Sequence, residues 1–344
     1  MGKTRRVTFG IPGSLDRPTG GFRYDREILD GLSALGFEAN VQDLGDDFPF
    51  PSGPTLNRLN NVSPEAGRPF VVDGLALGVI PDWAEKWADK APLISLLHHP
   101  LCLEAGLSKE DQTRFRDSEQ CALRYADHVV VTGNSTQAIV ADLFSTPLHQ
   151  ISVVEPGLNV STARNFSGGR IKFIAIGALI PRKRYSLMLK ALQHLPPGTW
   201  TLDIFGETEA SPEETRQVFD IVSSLSLSEA VTIHGAVDDL TLDQARARSH
   251  IFLSTSAYEG YGMALAEAVA AGLDPVATDA GAARELIPSG AGACVPVDDA
   301  AAFLNAVKAA HDEVRSGNWR PAPQPHRTWE QAAKEFAAVL DRLQ

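Results

Sequence analysis

Two glutamates, Glu259 and Glu267, lie eight residues apart in SAYEGYGMALAEAVAAGLDP, residues 256–275. Carboxylates at short range can act as general acid and base, and can equally hold a ligand through its hydroxyls. The surrounding pattern favours the second use. IFLSTS (251–256) reads as a buried strand, YEGYG as a glycine-broken turn, and MALAEAVAA as a helix whose small residues permit close packing. Its start leaves the N–H groups of Gly262, Met263, Ala264 and Leu265 unpaired. Together with the helix dipole these make an anion site suited to a diphosphate. A carboxylate just beyond such a site, as Glu267 is, can accept hydrogen bonds from ribose hydroxyls, as in dinucleotide-binding folds. The plainer alternative is a helix with an ordinary surface glutamate in its first turn.

Short β-branched runs alternate with helical patterns almost throughout, the signature of α/β folds with parallel sheets. A first series of strands is expected at 5–11, 38–44, 70–77, 93–99, 128–133 and 151–157, with helices at about 22–35, 109–126 and 135–144. The rhythm restarts at IKFIAIG (171–177) and continues at 201–206, 231–235, 251–256, 275–278 and 293–297. The polar, glycine-bearing LNVSTARNFSGGR (158–170) reads as the linker. Two doubly wound, Rossmann-like domains follow: 1–157, joined by a C-terminal helix at 326–344, and 158–325. They are expected to face a central cleft. In the C-terminal helix Thr328 and Gln331 make a capping box, and Trp329, Ala332, Ala333, Phe336, Ala337 and Leu340 form one apolar stripe. After the tether PAPQP (321–325) this helix must dock, and the first domain is the expected place.

Composition excludes several classes. The net charge of −12 argues against a nucleic-acid partner. The chain up to residue 157 carries 14 Lys and Arg against 21 Asp and Glu, so neither half is a basic module. Three cysteines without a C-x-x-C spacing give no disulfide framework and no zinc site, which points to a cytoplasmic setting. No apolar run approaches the roughly 20 residues of a membrane span, so membrane contact is expected to be peripheral at most.

EGYGMALAEAVAAG resembles the E-x7-E signature of retaining GT-B glycosyltransferases, in particular glycosyltransferase family 4. PVATDAGAARELI, GACVPVDDAAAF, FIAIGALIPRKRYSLMLKAL, ISVVEPGLNVS and VTIHGAVDD are similar to further segments of that family, and the likeness is dense from about 128 to 300. It implies that Glu267 binds the donor ribose and that Glu259 faces the transferred sugar. It also implies that Arg182 and Lys183 clamp the donor diphosphate, where fixed cations stabilise the charge of the leaving group. Gly20 and Gly21 of PTGGF resemble the family's glycine loop at the donor phosphate, and His98 resembles a histidine that hydrogen-bonds the donor sugar. Two departures stand out: Ala178 replaces a frequent arginine, and His99-Pro100 follows His98 where Asp or Gly is typical.

The resemblance therefore implies a retaining hexosyltransferase acting from a nucleotide sugar, UDP-sugar favoured on family frequency. The hydroxyl acceptor would be a polysaccharide or glycolipid precursor. No Asp-x-Asp occurs, so no metal and no cofactor are expected. The rivals are a catalytically silent sugar-nucleotide-binding member of the fold and a nucleotide-sugar-modifying enzyme such as an epimerase. A dehydrogenase or epimerase would want G-x-G-x-x-G after a first strand, and neither PGSLDRPTGG nor GETEAS supplies it.

Overall fold

The computed structural model describes residues 5–17, 19–161, 164, 169–320 and 322–343. Pro18 and Pro321 therefore lie outside the described residues, as do 162, 163 and 165–168 of the expected linker. The chain divides into two compact units, Met1–Gly157 with Arg327–Gln344, and Leu158–His326.

The first unit is built on a six-stranded parallel sheet in the order β2-β1-β3-β4-β5-β6. Its strands are β1 (Arg5–Ile11), β2 (Phe37–Asp43), β3 (Phe70–Asp73), β4 (Leu93–Leu97), β5 (His128–Val131) and β6 (Ile151–Val153). β3, β4 and β5 are buried along their whole length, as central parallel strands covered on both faces must be. The helices are α1 (Gly20–Ala34), α2 (Gly53–Leu59), α3 (Gly74–Leu77), α4 (Pro81–Trp87), α5 (Lys109–Leu123) and α6 (Asn134–Phe144).

The run FVVDGLAL is not one strand. Asp73 turns it by accepting a hydrogen bond from the Leu75 N–H at 2.7 Å, which caps α3. Gly74 then passes so close to β4 that a Cβ there would lie 3.2 Å from the Leu97 Cα. α2 and α4 are absent from the sequence reading. Each spans seven residues with proline in its first turn, too short for a 3.6-residue period to show.

The second unit repeats the plan with a parallel sheet in the order β12-β11-β10-β7-β8-β9. Its strands are β7 (Ile171–Ile176), β8 (Trp200–Phe205), β9 (Val231–Ile233), β10 (Ile251–Ser254), β11 (Asp274–Thr278) and β12 (Ala293–Val295). Its helices are α7 (Tyr185–Leu192), α8 (Pro212–Ser224), α9 (Asp239–Arg248), α10 (Met263–Ala270), α11 (Ala283–Leu286) and α12 (Ala300–Arg315). Alternate residues of the central strands feed two apolar clusters, one including Phe173, Leu202 and Phe303 and one including Ile174, Phe252 and Ala268.

The last helix, α13 (Trp329–Arg342), belongs to the first unit. Thr328 and Gln331 form the reciprocal capping box, and Trp329, Ala332, Ala333, Phe336, Ala337 and Leu340 are all buried. The seat on α1 is close: a Cβ on Gly31 would lie 2.4 Å from that of Ala333.

In both sheets the strand order reverses around the first strand, β1 between β2 and β3, and β7 between β8 and β10. Open parallel sheets bind ligands outside the carboxyl ends of their strands at such a point. The residues singled out above lie after the carboxyl ends of strands at or near these points. Arg182 and Lys183 follow β7, Glu259 follows β10, Gly20 and Gly21 follow β1, and His98 follows β4.

Candidate functional site

In the second unit the loops after β7 and β10 are tied together. The Ala257 N–H donates to the Arg182 carbonyl at 2.9 Å, and the Thr255 hydroxyl donates to the carbonyls of Lys183 and Arg184. Gly177, with φ +155, leaves room for the Lys183 side chain, since a Cβ there would lie 2.9 Å from Lys183 Cε. Both cations thereby converge on Glu259. Lys183 Nζ lies 2.5 Å from Oε1, Arg182 Nη1 lies 3.1 Å from Oε2, and the Ser256 hydroxyl donates to Oε1 at 2.6 Å. Burial alone would raise the Glu259 pKa, but Lys183 and Arg182 outweigh it and bring it down to about 2. The third basic residue of PRKR faces elsewhere: Arg184 donates to the Val297 carbonyl and pairs with Asp298.

α10 begins at Met263, with Gly262 at φ +100 as its N-cap and no side-chain oxygen capping its first turn. Met263, Ala264 and Leu265 are its first three residues, so their N–H groups are the terminal donors of the helix. Glu267 is not a surface residue. It is 3% exposed and accepts from Arg246 Nη1 of α9 at 2.9 Å. Arg246 is itself 2% exposed, and its Nη2 donates to Asp243 at 2.6 Å.

In the first unit Thr19 caps α1, and Gly20 and Gly21 form its first residues. A Cβ on Gly21 would lie 3.2 Å from His98 Cδ2, so the glycine makes space for the imidazole. His98 Nε2 lies 2.9 Å from Asp25 Oδ1 and 3.9 Å from Asp73 Oδ2. Burial and the neighbouring Asp25 charge push the Asp73 carboxyl up to about 7, against the smaller opposing effect of His98. For His98 burial acts downward, yet Asp25 and then Asp73 leave its pKa above the ordinary 6.5. Among the described residues, Asp25, Asp73 and His98 are close enough together to ligate a cation, with one ligand atom of each within 4.8 Å of the others. His99 turns away to Glu104, 3.2 Å from its Nε2. The segment after it forms a short helical turn, Leu101–Leu103, held by Glu119, which accepts from the Leu101 and Cys102 N–H groups.

Residues 160–333, half of the chain, match the family described as Glycosyl transferases group 1. The chain belongs to this family. It is 24% identical over 272 residues to MMP alpha-(1->4)-mannosyltransferase of Mycolicibacterium hassiacum, an alignment that covers 73% of this chain and 65% of that protein. Among solved structures, sucrose-phosphate synthase from Thermosynechococcus elongatus superposes with a TM-score of 0.78 at 17% identity, over 98% of this chain and 99% of that one. Anabaena HepE in complex with UDP and glucose superposes with a TM-score of 0.72 at 18% identity, over 98% and 95%. Together with the two six-stranded parallel sheets, these neighbours make the fold GT-B.

Against this group 1 background the structure brings Glu259, Arg182 and Lys183 into one cluster, and places Glu267 on the helix that starts beside them. Gly20, Gly21 and His98 gather in the other unit. Four partners escaped the sequence. Ser256 lies in the quoted stretch, but a serine after a strand has no distinguishing pattern. Arg246 pairs with Glu267 from 21 residues away on a helix without apolar periodicity. Asp25, in the early turns of α1, carries no local sign of its pairing with His98, and Asp73 was hidden inside an expected strand. Its one signal was an acid followed by glycine, a cap ahead of a turn.

Proposed function

We propose that this chain is a retaining hexosyltransferase. It takes a sugar from a nucleoside diphosphate, UDP-sugar favoured, and delivers it to a hydroxyl on a polysaccharide or glycolipid precursor in the cytoplasm. One observation carries this reading: two fixed cations, Arg182 and Lys183, converge beside the uncapped start of α10. That is a cradle for a diphosphate whose negative charge grows as the sugar–phosphate bond breaks. Group 1 membership and the mannosyltransferase similarity support the transfer class, and the HepE complex with UDP and glucose supports the donor class.

In this reading Met263, Ala264 and Leu265 donate backbone hydrogen bonds to the phosphates, with Gly262 admitting close approach. Glu267, held by Arg246, accepts from the ribose hydroxyls. Glu259 orients the transferred sugar through its hydroxyls; with two cations on its carboxylate it is a poor nucleophile and a poor base. The departing phosphate takes the acceptor proton on the same face, and Arg182 and Lys183 supply the countercharge without a metal. Arg182 also provides the cation that Ala178 does not. No helix among the described residues is long and apolar enough to cross a membrane.

A panel of nucleoside-diphosphate sugars, with release of the nucleotide followed, tests the proposal. One or more donors should turn over, with the anomeric configuration of the product retained. Calorimetry that finds no binding of any nucleoside diphosphate would reject it. Glu259→Ala should bind the bare diphosphate and lose turnover. If Glu259→Ala and Glu267→Ala both bound the bare nucleotide like the wild type, the donor site would lie elsewhere.

A further inference from the structure

We propose that Asp25 and Asp73 are positioning residues for His98. Their carboxyl groups share one proton and hold the imidazole with its Nε2–H on Asp25, so that Nδ1 is the atom His98 offers to a substrate hydroxyl. Three elements converge to make this cluster: Asp25 comes from α1, Asp73 from the end of β3, and His98 from the end of β4. Asp25 is 0% exposed, and its Oδ2 is a buried oxygen with no hydrogen-bond partner, while Oδ1 lies 2.9 Å from His98 Nε2. An ionised carboxylate only accepts, so Nε2 must carry a hydrogen toward Asp25.

Asp73 uses Oδ1 to accept from the Leu75 N–H, which leaves Oδ2 facing the imidazole at 3.9 Å. Two carboxylates this close and this buried do not both keep a full charge without compensation. A proton on Asp73 provides it, and gives Asp73 a hydrogen for its neighbour Asp25. Its pKa agrees, raised to about 7 by burial and by the charge of Asp25 and its hydrogen bond.

Among the described residues, the charges that act on Asp73 and His98 are those of the cluster itself. The Tyr24 ring stands T-shaped to that of His98, with centroids 5.2 Å apart, and its hydroxyl donates to the Val154 carbonyl. Arg327 and Glu335 act on Tyr24 from α13 and the residues just ahead of it. His99 faces Glu104. With one proton on the acid pair, the cluster holds a single carboxylate charge against the imidazole, and His98 titrates against that. The buried acids thus set both the tautomer and the charge of a histidine that is itself 19% exposed. The part that concerns a substrate hydroxyl rests on the proposed glycosyl transfer; the proton arrangement does not.

The test is an NMR titration of the imidazole nitrogens in histidine-labelled full-length protein, with the His98 signal assigned by its loss in His98→Gln. The wild type should show the Nε2–H tautomer at high pH and a midpoint above the ordinary 6.5. Asp25→Asn should lower the midpoint by about one pH unit or more and mix the tautomers. Asp73→Asn, whose amide can supply the hydrogen of the protonated acid, should keep the tautomer and move the midpoint less. An Nδ1–H tautomer in the wild type would overturn the assignment, as would an unchanged midpoint in Asp25→Asn. So would a His98 signal displaced by millimolar zinc or manganese and restored by a chelator, which would make the cluster a cation site. The wild-type tautomer and Asp73→Asn decide the matter if Asp25→Asn does not fold. No donor enters this experiment, so it can fail or succeed independently of the transferase assay. In that assay Asp25→Asn should shift the pH profile of kcat.

Discussion

Glu259 in the second unit and His98 in the first each sit between two groups of opposite sign. Arg182 and Lys183 flank the glutamate, and Asp25 and Asp73 flank the histidine. The consequences differ because the pairs differ in what a proton can do. Two cations around one carboxylate lower its pKa to about 2, so the cluster keeps one charge state across the physiological range. In the other cluster burial, and then the charge of Asp25, raise Asp73 to about 7 against the opposing effect of His98, so that cluster takes up a proton near neutrality. A fixed charge suits a group that must answer a phosphate at every turnover. A proton-sharing cluster suits one that donates and accepts.

The largest expected effect breaks the fixed cluster. Lys183→Ala should lower kcat by about 100- to 1,000-fold, the scale of losing a preorganised electrostatic stabiliser, measured with saturating donor. Next comes the neighbouring pair of Glu267 and Arg246. Glu267→Ala removes charged hydrogen bonds worth about 1.5–3 kcal/mol and should weaken binding of a bare nucleoside diphosphate by about 10- to 100-fold in calorimetry. It also leaves Nη1 of the buried Arg246 without its carboxylate, so its Tm should fall further than that of Glu267→Gln.

A smaller effect separates the two clusters by pH. Asp73 holds its proton more tightly folded than unfolded. Its contribution to stability is therefore complete below the unfolded value of 3.8 and lost as pH rises through about 7. Each pH unit within that window costs the wild type up to about 1.4 kcal/mol. Asp73→Asn should remove this slope, so denaturant midpoints of variant and wild type should draw apart in the variant's favour as pH rises toward neutral.

Glu259 has the opposite sign: its contribution is present above the unfolded value of 4.5 and lost only as pH falls through about 2. Replacing it by Gln should therefore change stability by the same amount from mildly acidic to mildly alkaline pH. A pH-dependent difference in that range would erase the contrast between the clusters.

Much of the frame was legible locally. Apolar β-branched runs such as LISLL and IKFIAI become central parallel strands, because a strand covered on both faces needs apolar residues throughout. Thr328 and Gln331 announced α13, and the stripe behind them announced its docking face. FVVDGLAL misled because its apolar residues continue past the strand, while one aspartate cap and one close-approaching glycine turn the chain into α3. At the sites, positions could be read and partners could not. Glu267 could be read as a ligand-binding carboxylate, but nothing near it in sequence hints at an arginine 21 residues earlier folding over it.

By itself, the sequence determined where strands, caps and helix starts fall, and therefore which residues lie at strand ends. Those features depend on neighbours within a few positions, through backbone propensity, capping hydrogen bonds and the spacing of apolar groups. Only the tertiary structure decided which strand ends meet. Placing β10 beside β7 brings Glu259 to Arg182 and Lys183, and placing β3 beside β4, with the start of α1 against His98, brings Asp73 and Asp25 to His98. Charges and pKa values depend on distance in space and on burial, and strand order sets both.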